Sequence, residues 1–510
     1  MVSIIKSSAL HGVDGITVLV ETDISNGLPA FEIVGLPDSA VKESKERVRS
    51  ALKNTGLNFP LKRITVNLAP ADIKKEGPSF DLPIAVGIMA SSGIIAENAA
   101  NDFMLMGELS LDGSIRGVTG VLPMVYSAFK NGITKFIVPE DNACEASLCR
   151  GAAIYSFKNI YDLTEFFNNR KKIEPYESNA DEIFNNPSEI SFLDFSDVKG
   201  QENVKRAMEI AAAGYHNILM IGPPGSGKTM LAKRLPSIMP PLTFEESIEI
   251  TKIYSVAGLL KSNDSLINTR PFRSPHHTVS SVALTGGGKF PKPGEISLAH
   301  KGILFLDELP EFKRTSLEVL RQPLEDREVT ISRVNSTVTY PADFMLVSAM
   351  NPCPCGYFGD GDKCRCSKSE IARYTSKISG PLLDRVDIQV EVSATKYDDL
   401  YSKTKGETSK TIRERVVNAH RIQLERYKNE GIQFNSQLTA PLIEKYCILG
   451  QKEQEMLKTA FDKLSLSARG YHKILKTART VADLEGSKNI ELKHLLEVIQ
   501  YRSLDRKYMM

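Results

Sequence analysis

The run Gly222-Pro223-Pro224-Gly225-Ser226-Gly227-Lys228-Thr229 constrains this chain more than any other stretch, because a GxxxxGK[ST] loop works only where a buried strand turns directly into a helix. The apolar run Asn217 to Ile221 precedes it, and Met230 to Leu235 continues with helical propensity. In that setting the glycines let the backbone wrap an anion with its N–H groups, and the helix start adds its positive end. Lys228 is then placed to reach the β- and γ-phosphates, and the Thr229 hydroxyl to bind Mg²⁺. The sequence therefore predicts an ATP site in an α/β layered sheet.

A second segment narrows the chemistry. Gly302-Ile-Leu-Phe-Leu-Asp307-Glu308 is an apolar run that delivers two carboxylates to a strand's C-terminal edge. Asp307 is expected to hold Mg²⁺, directly or through water, and Glu308 to polarise the water that attacks the γ-phosphate. Such a strand end is common by itself; paired with the glycine loop it points to ATP hydrolysis. Asn351, after the apolar run Phe344 to Met350, is placed to orient the lytic water from an adjacent strand tip.

Composition bounds the rest. At 510 residues the chain exceeds the size that one core usually serves, and two to four domains are expected. Met1 to Lys6 shows no secretory pattern, and no run approaches a membrane span, so a soluble, cytoplasmic protein is expected. A net charge of only +2 means that any nucleic-acid contact must come from local basic loops. The 7 cysteines are an odd count without a disulfide framework. Cys353, Cys355, Cys364 and Cys366 bracket a Gly/Asp-rich hairpin and suit a tetrahedral Zn²⁺; their CxC spacing equally suits reduced thiols that shape a loop. Cys144, Cys149 and Cys447 read as apolar fillers.

The boundaries expected are a first domain over 1–170, a linker over 171–193 rich in acids, Asn and Pro, an ATPase core over 194–395 and a helical lid over 396–510. The clearest helix, Gly470 to Glu485, places Ile474, Leu475, Ala478, Val481 and Ala482 on a packed face, with Lys473, Lys476 and Arg479 on a solvated one.

With these residues in place the chain resembles an AAA+ ATPase of the magnesium-chelatase-like branch, and closely the ComM/YifB family. Asp194 to Gln201 is similar to the adenine-side entry of such modules, with Val198 and Gln201 at the base. Arg273-Ser-Pro-His-His-Thr278, Gly286 to Gly288, Pro293 to His300 and Ser379 to Arg385 are strings typical of the family. The resemblance implies a ring, a hexamer. It also implies that Arg385, in Leu382-Leu-Asp-Arg385, reaches into a neighbouring subunit to meet its γ-phosphate, and that Arg469 meets a γ-phosphate from the lid. An arginine there neutralises charge that grows in the transition state; spacing alone would favour surface ion pairs.

The first 170 residues resemble the proteolytic domain of Lon proteases (a ribosomal S5 domain 2-like α+β fold) through Gly107 to Gly113 and Gly132 to Pro139. Lys75-Glu-Gly-Pro-Ser79 is similar to the Lon serine motif, whose serine needs a lysine base. Met124 stands where that lysine would fall and accepts no proton, so a domain without peptidase activity is expected. Lys74, Lys75 and Lys130 remain as substitutes, and a helix N-cap as the plain role for Ser79.

Two inserts suggest what the motor works on. Leu284 to Gly294 is a glycine-rich basic loop, and Glu328 to Tyr340 reads as a hairpin around Val334-Asn335-Ser336. In related helicases such inserts line the pore, where Lys289, Lys292 and Arg333 would track the phosphates of single-stranded or branched DNA. The adjacent pair His276 and His277 does not suit joint metal ligation from a helix. Three readings compete: a DNA translocase on branched recombination intermediates, which the resemblance implies and which is favoured; a motor subunit of a metal chelatase; and a protein remodeller with a degenerate protease domain.

Overall fold

The computed structural model describes residues 2–177, 179–185, 193–260, 266–288, 291–333, 336–359, 363–394, 406–464 and 466–502. They form two compact units, Met1–Ser188 with Thr243–Asn268, and Glu189–Leu242 with Thr269–Met510.

The first unit is built on a seven-stranded mixed sheet. Strands Val2–His11 and Asp14–Ser25 pair antiparallel, placing Ile5 opposite Val20, and Arg63–Ala69 pairs antiparallel on the outer side of the second. Phe103–Leu105, Lys135–Pro139 and Ala153–Phe157 extend the other side in parallel. Helix Asp81–Ser91 is apolar almost all round and buried from Asp81 to Ala90, as a helix without a polar face must be. Its one charge, Asp81, is fully buried and accordingly well paired. It accepts from Ser44, from Arg47 at 2.6 and 3.0 Å, and from the Leu109 N–H at 3.2 Å.

The stretch expected as continuous ATPase core contributes to this first unit. Helix Phe244–Ala257 opens with a capping box between Thr243 and Glu246, and its Ile248 packs with Leu122, Leu148, Ala180 and Leu266. The acidic stretch expected as a linker is not all irregular either: Ala180–Asn185 is a short helix whose Ala180, Ile183 and Phe184 join the same cluster.

The second unit carries five parallel strands in the spatial order Phe272–Arg273, Ile303–Leu306, Met345–Met350, Ile218–Ile221, Ile388–Glu391. Every residue of Ile218–Ile221 and Ile303–Leu306 is buried, which explains why these strands read as unbroken apolar runs. This order puts the strand feeding the glycine loop beside Met345–Met350, with Ile303–Leu306 one place further, so all three tips open on one edge. Helices Ser409–Arg426, Ala440–Tyr446, Ala468–Leu484 and Leu492–Gln500 share one apolar core with this sheet.

In Ala468–Leu484 the apolar face is as expected, with Ile474, Leu475, Ala478, Val481 and Ala482 buried. The expected solvated basic face is corrected. Arg479 is 2% exposed and donates to the Ser487 and Lys488 carbonyls, Lys476 donates to Ser436, and Lys473 to Asp384 and Val386. Their heads satisfy backbone carbonyls at loop ends, which period alone cannot reveal. Among the described residues no helix is long and apolar enough to cross a membrane.

Candidate nucleotide site

The loop after Ile221 is shaped by close approach. A Cβ on Gly222 would stand 2.2 Å from the Val392 carbonyl oxygen. Gly225 and Gly227 adopt φ of 75° and 88°, the left-handed region that glycine enters without strain. Helix Lys228–Ala232 starts at Gly227. The Lys228 ammonium donates to the Gly222 and Pro223 carbonyls, each at 2.8 Å, and to Asn351 Oδ1 at 3.2 Å. Burial lowers its pKa, while Asp307 and Glu308 pull it back up.

Thr229 Oγ1 donates to Asp307 Oδ2 at 2.5 Å, so the two expected Mg²⁺ ligands already share one locus. Glu308 sits in the left-handed region at φ 52°, an uncommon position for a non-glycine residue. Its N–H donates to Asp307 Oδ1 at 2.9 Å, and its carboxylate lies 3.5 Å from His277 Nδ1. That contact with His277 was not read from the sequence; the Arg273 to Thr278 string was the available signal. Val198 is buried, and Gln201 Nε2 donates to the Ser393 carbonyl at 2.6 Å.

The two arginines meet elsewhere. Arg385 Nη2 lies 2.7 Å from Glu325 Oε2, and Arg469 Nη2 lies 3.3 Å from Oε1 of the same carboxylate. Arg385 is further fixed by the Arg321 and Pro381 carbonyls. Both arginines line a cavity of about 280 Å³ with Glu325, Asp387, Lys473 and Lys476, and its lining includes none of Lys228, Asp307, Glu308 and Asn351. Glu325, which holds the pair together, carries no motif.

The four clustered cysteines converge, with ligand atoms all within 4.8 Å of one another. Sulfur separations are 3.4 Å for Cys353 and Cys355, 3.8 Å for Cys353 and Cys364, and 3.7 Å for Cys355 and Cys364. A tetrahedron with Zn–S of about 2.3 Å has edges of about 3.8 Å, so the set fits that ion. The backbone N–H groups of Tyr357 and Arg365 lower the Cys355 thiol to about 6, while the crowded sulfurs around them push the Cys364 and Cys366 thiols up, as expected where one proton-free sulfur is stabilised at its neighbours' expense. Cys149 and Cys447 are buried and Cys144 is partly so.

The inserts come together. Strands Glu328–Arg333 and Ser336–Pro341 form the expected hairpin, and Tyr340 Oη donates to the Pro291 carbonyl of the glycine-rich loop at 2.7 Å. Lys292 is exposed, pairing in register with Gly287. Lys289 and the Arg333 side chain lie outside the described residues, as does the turn Val334-Asn335.

In the first unit Ser79 lies in the turn Pro78–Phe80, and the helix after it starts without a side-chain cap. Met124 is buried in helix Val121–Lys130. The wholly buried Lys75 donates to the Pro70 carbonyl, with burial lowering its pKa, Lys74 pairs with Glu76, and Lys130 lies over the Tyr126 ring.

A parallel sheet of this order, with a phosphate-cradling loop at one strand tip, an acidic pair at another and a helical C-terminus, defines a P-loop nucleotide-binding module of the AAA+ class. Comparisons with known proteins sharpen this. Residues 194–400 match the family model for magnesium chelatase, subunit ChlI, residues 20–142 that for subunit ChlI of Mg-chelatase, and residues 406–502 that for its C-terminal part. The chain is 46% identical over 507 residues to Competence protein ComM of Haemophilus influenzae, covering 99% of this chain and 98% of that protein. It is 42% identical to the uncharacterized protein YifB of Escherichia coli, over 99% of this chain and 97% of that one. A Lon protease of Finegoldia magna is 24% identical over 148 residues, 28% of this chain and 19% of the protease. The chain belongs to the ComM/YifB family of magnesium-chelatase-like AAA+ proteins.

Proposed function

We propose that this protein is an ATP-hydrolysing ring motor, a cytoplasmic hexamer that translocates on DNA and migrates branches in recombination or natural transformation. The observation that carries the reading is the convergence of Arg385 and Arg469 on Glu325, apart from the chain's own phosphate loop. Arginines gathered away from Lys228 suit a site completed by a neighbouring subunit. Within one chain, Lys228 and Thr229 hold the phosphates and Mg²⁺ with Asp307, Asn351 orients water, and Glu308 polarises it. Val198 and Gln201 lie on the adenine side, and the loop Gly222 to Thr229 binds the phosphates. ATP with Mg²⁺ supplies the free energy, and Zn²⁺ occupies the four-cysteine cluster. The Lon-like unit is read as proteolytically inactive, with Lys75 committed to a carbonyl and Met124 in place of a base.

DNA as substrate is supported by the relative's name as a competence protein and by the joined inserts bearing Lys289, Lys292 and Arg333. A chelatase motor is the second reading, favoured by the family descriptions. ATPase rate measured with no addition, single-stranded DNA, a four-way junction or unfolded protein tests the DNA reading; stimulation by DNA is expected, no stimulation by any of them would favour the chelatase motor, and stimulation by unfolded protein alone would overturn the DNA reading. Replacing Lys289, Lys292 and Arg333 by Ala should spare basal ATPase but weaken DNA binding and flatten its dependence on log salt by up to about three phosphate contacts.

A further inference from the structure

The four-cysteine cluster abuts the nucleotide site on two sides. Cys353 follows Asn351 by two residues, and the Asn351 side chain accepts from Lys228 at 3.2 Å. Gly356, at φ 86°, lies against the phosphate loop so closely that a Cβ there would stand 2.4 Å from Pro224 Cδ and 2.7 Å from its Cγ. On the other side, Ser367 immediately follows Cys366 and caps helix Lys368–Thr375 in a capping box with Glu370. That helix carries the buried Tyr374. The sulfurs thus staple one loop whose two ends reach the phosphate loop and the strand tip that holds the water-orienting residue.

We propose that metal bound at Cys353, Cys355, Cys364 and Cys366 and nucleotide bound at Gly222 to Thr229 are thermodynamically coupled through Gly356 on Pro224 and through the short backbone that joins Cys353 to Asn351. The inference rests on the Zn²⁺ and ATP readings given above. The metal fixes the cysteine loop and with it the Pro224 ring and the Asn351 backbone; nucleotide fixes the same two groups from the opposite side. Each ligand then lowers the ordering cost of the other, and the factor by which nucleotide tightens the metal must equal that by which metal tightens nucleotide.

The full chain loaded with Zn²⁺ tests this. Zinc affinity is measured by equilibrium competition with a zinc-selective chelator, with and without saturating ADP, and a fluorescent ADP analogue is titrated against zinc-loaded and zinc-depleted protein. Coupling predicts that ADP tightens zinc by about fivefold or more, and that zinc-loaded protein binds the analogue tighter by the same factor. Gly356→Ala, which keeps all four ligands but pushes on Pro224, should retain about one Zn²⁺ per chain while weakening the analogue and shrinking the ADP effect. Because this variant stays metal-loaded, it answers even where metal removal unfolds the protein. Equal zinc affinity with and without ADP, in protein that binds both, overturns the coupling alone. Absence of zinc from metal-replete protein overturns the metal reading and the coupling together, and zinc without nucleotide binding overturns the ATP reading and the coupling together.

Discussion

The Lys228 ammonium lies 3.2 Å from Asn351 Oδ1, so one lysine joins the phosphate loop to the neighbouring strand tip. On the proposed reading a γ-phosphate and Asn351 would compete for the same N–H donors, and transfer of the lysine to phosphate would free the amide to orient water. Asn351→Ala should therefore keep ATP affinity within a few-fold while turnover falls on the order of a hundredfold, the usual cost of losing one preorganised polar group. Nucleotide titration beside steady-state ATPase checks this; equal losses in both would mean that Asn351 binds rather than positions.

Glu308→Gln tests the base. Asp307 and Thr229 remain 2.5 Å apart and keep their Mg²⁺ locus, so ATP and Mg²⁺ should still bind. The amide cannot polarise water, and hydrolysis should drop by at least about a hundredfold. Normal turnover in that variant would remove the assignment.

How much of this was legible depends on which physics fixed each part. Buried parallel strands must be apolar throughout, so Ile218–Ile221 and Ile303–Leu306 stood out in the chain together with the glycines and acids at their tips. Glu325 did not, because its role lies in two ion pairs to residues 60 or more positions along, and nothing local marks an acceptor of distant arginines. The excursion Thr243–Asn268 escaped notice for a related reason: an amphipathic helix such as Phe244–Ala257 shows that it has a face to bury, not which core takes it. The burial of Lys476 and Arg479 is not legible in the sequence, because charge predicts exposure unless carbonyls at loop ends await the head group.

Arg385 is expected to serve a neighbour's nucleotide. Arg385→Ala and Lys228→Ala proteins should each be inactive alone, yet mixtures should recover part of the hydrolysis, since some interfaces pair an intact Lys228 with an intact Arg385. No recovery at any ratio in confirmed mixed rings would count against it. Glu325→Gln removes the charge that pairs both arginines and should leave the chain folded, because Glu325 is half-exposed and Arg385 keeps its bonds to the Arg321 and Pro381 carbonyls. Its effect should appear in the protein concentration at which ATPase is half-maximal.

His420 should set part of the acid response of the second unit. Its ring stacks on Phe434 at a centroid distance of 4.4 Å, and its Nε2 is buried with no hydrogen-bond partner. Burial, with Arg270 adding repulsion, lowers its pKa from 6.5 to about 4. The folded state therefore refuses a proton that the unfolded chain accepts between those values. Stability from this group is full above pH 6.5 and is lost as pH falls towards 4, by an amount on the order of 3 kcal/mol. His420→Phe keeps a ring against Phe434 and removes the titration, so its melting temperature should fall less than that of the unmodified protein between pH 7 and pH 5. Parallel pH profiles for the two proteins would show that the ring at position 420 does not titrate in this range.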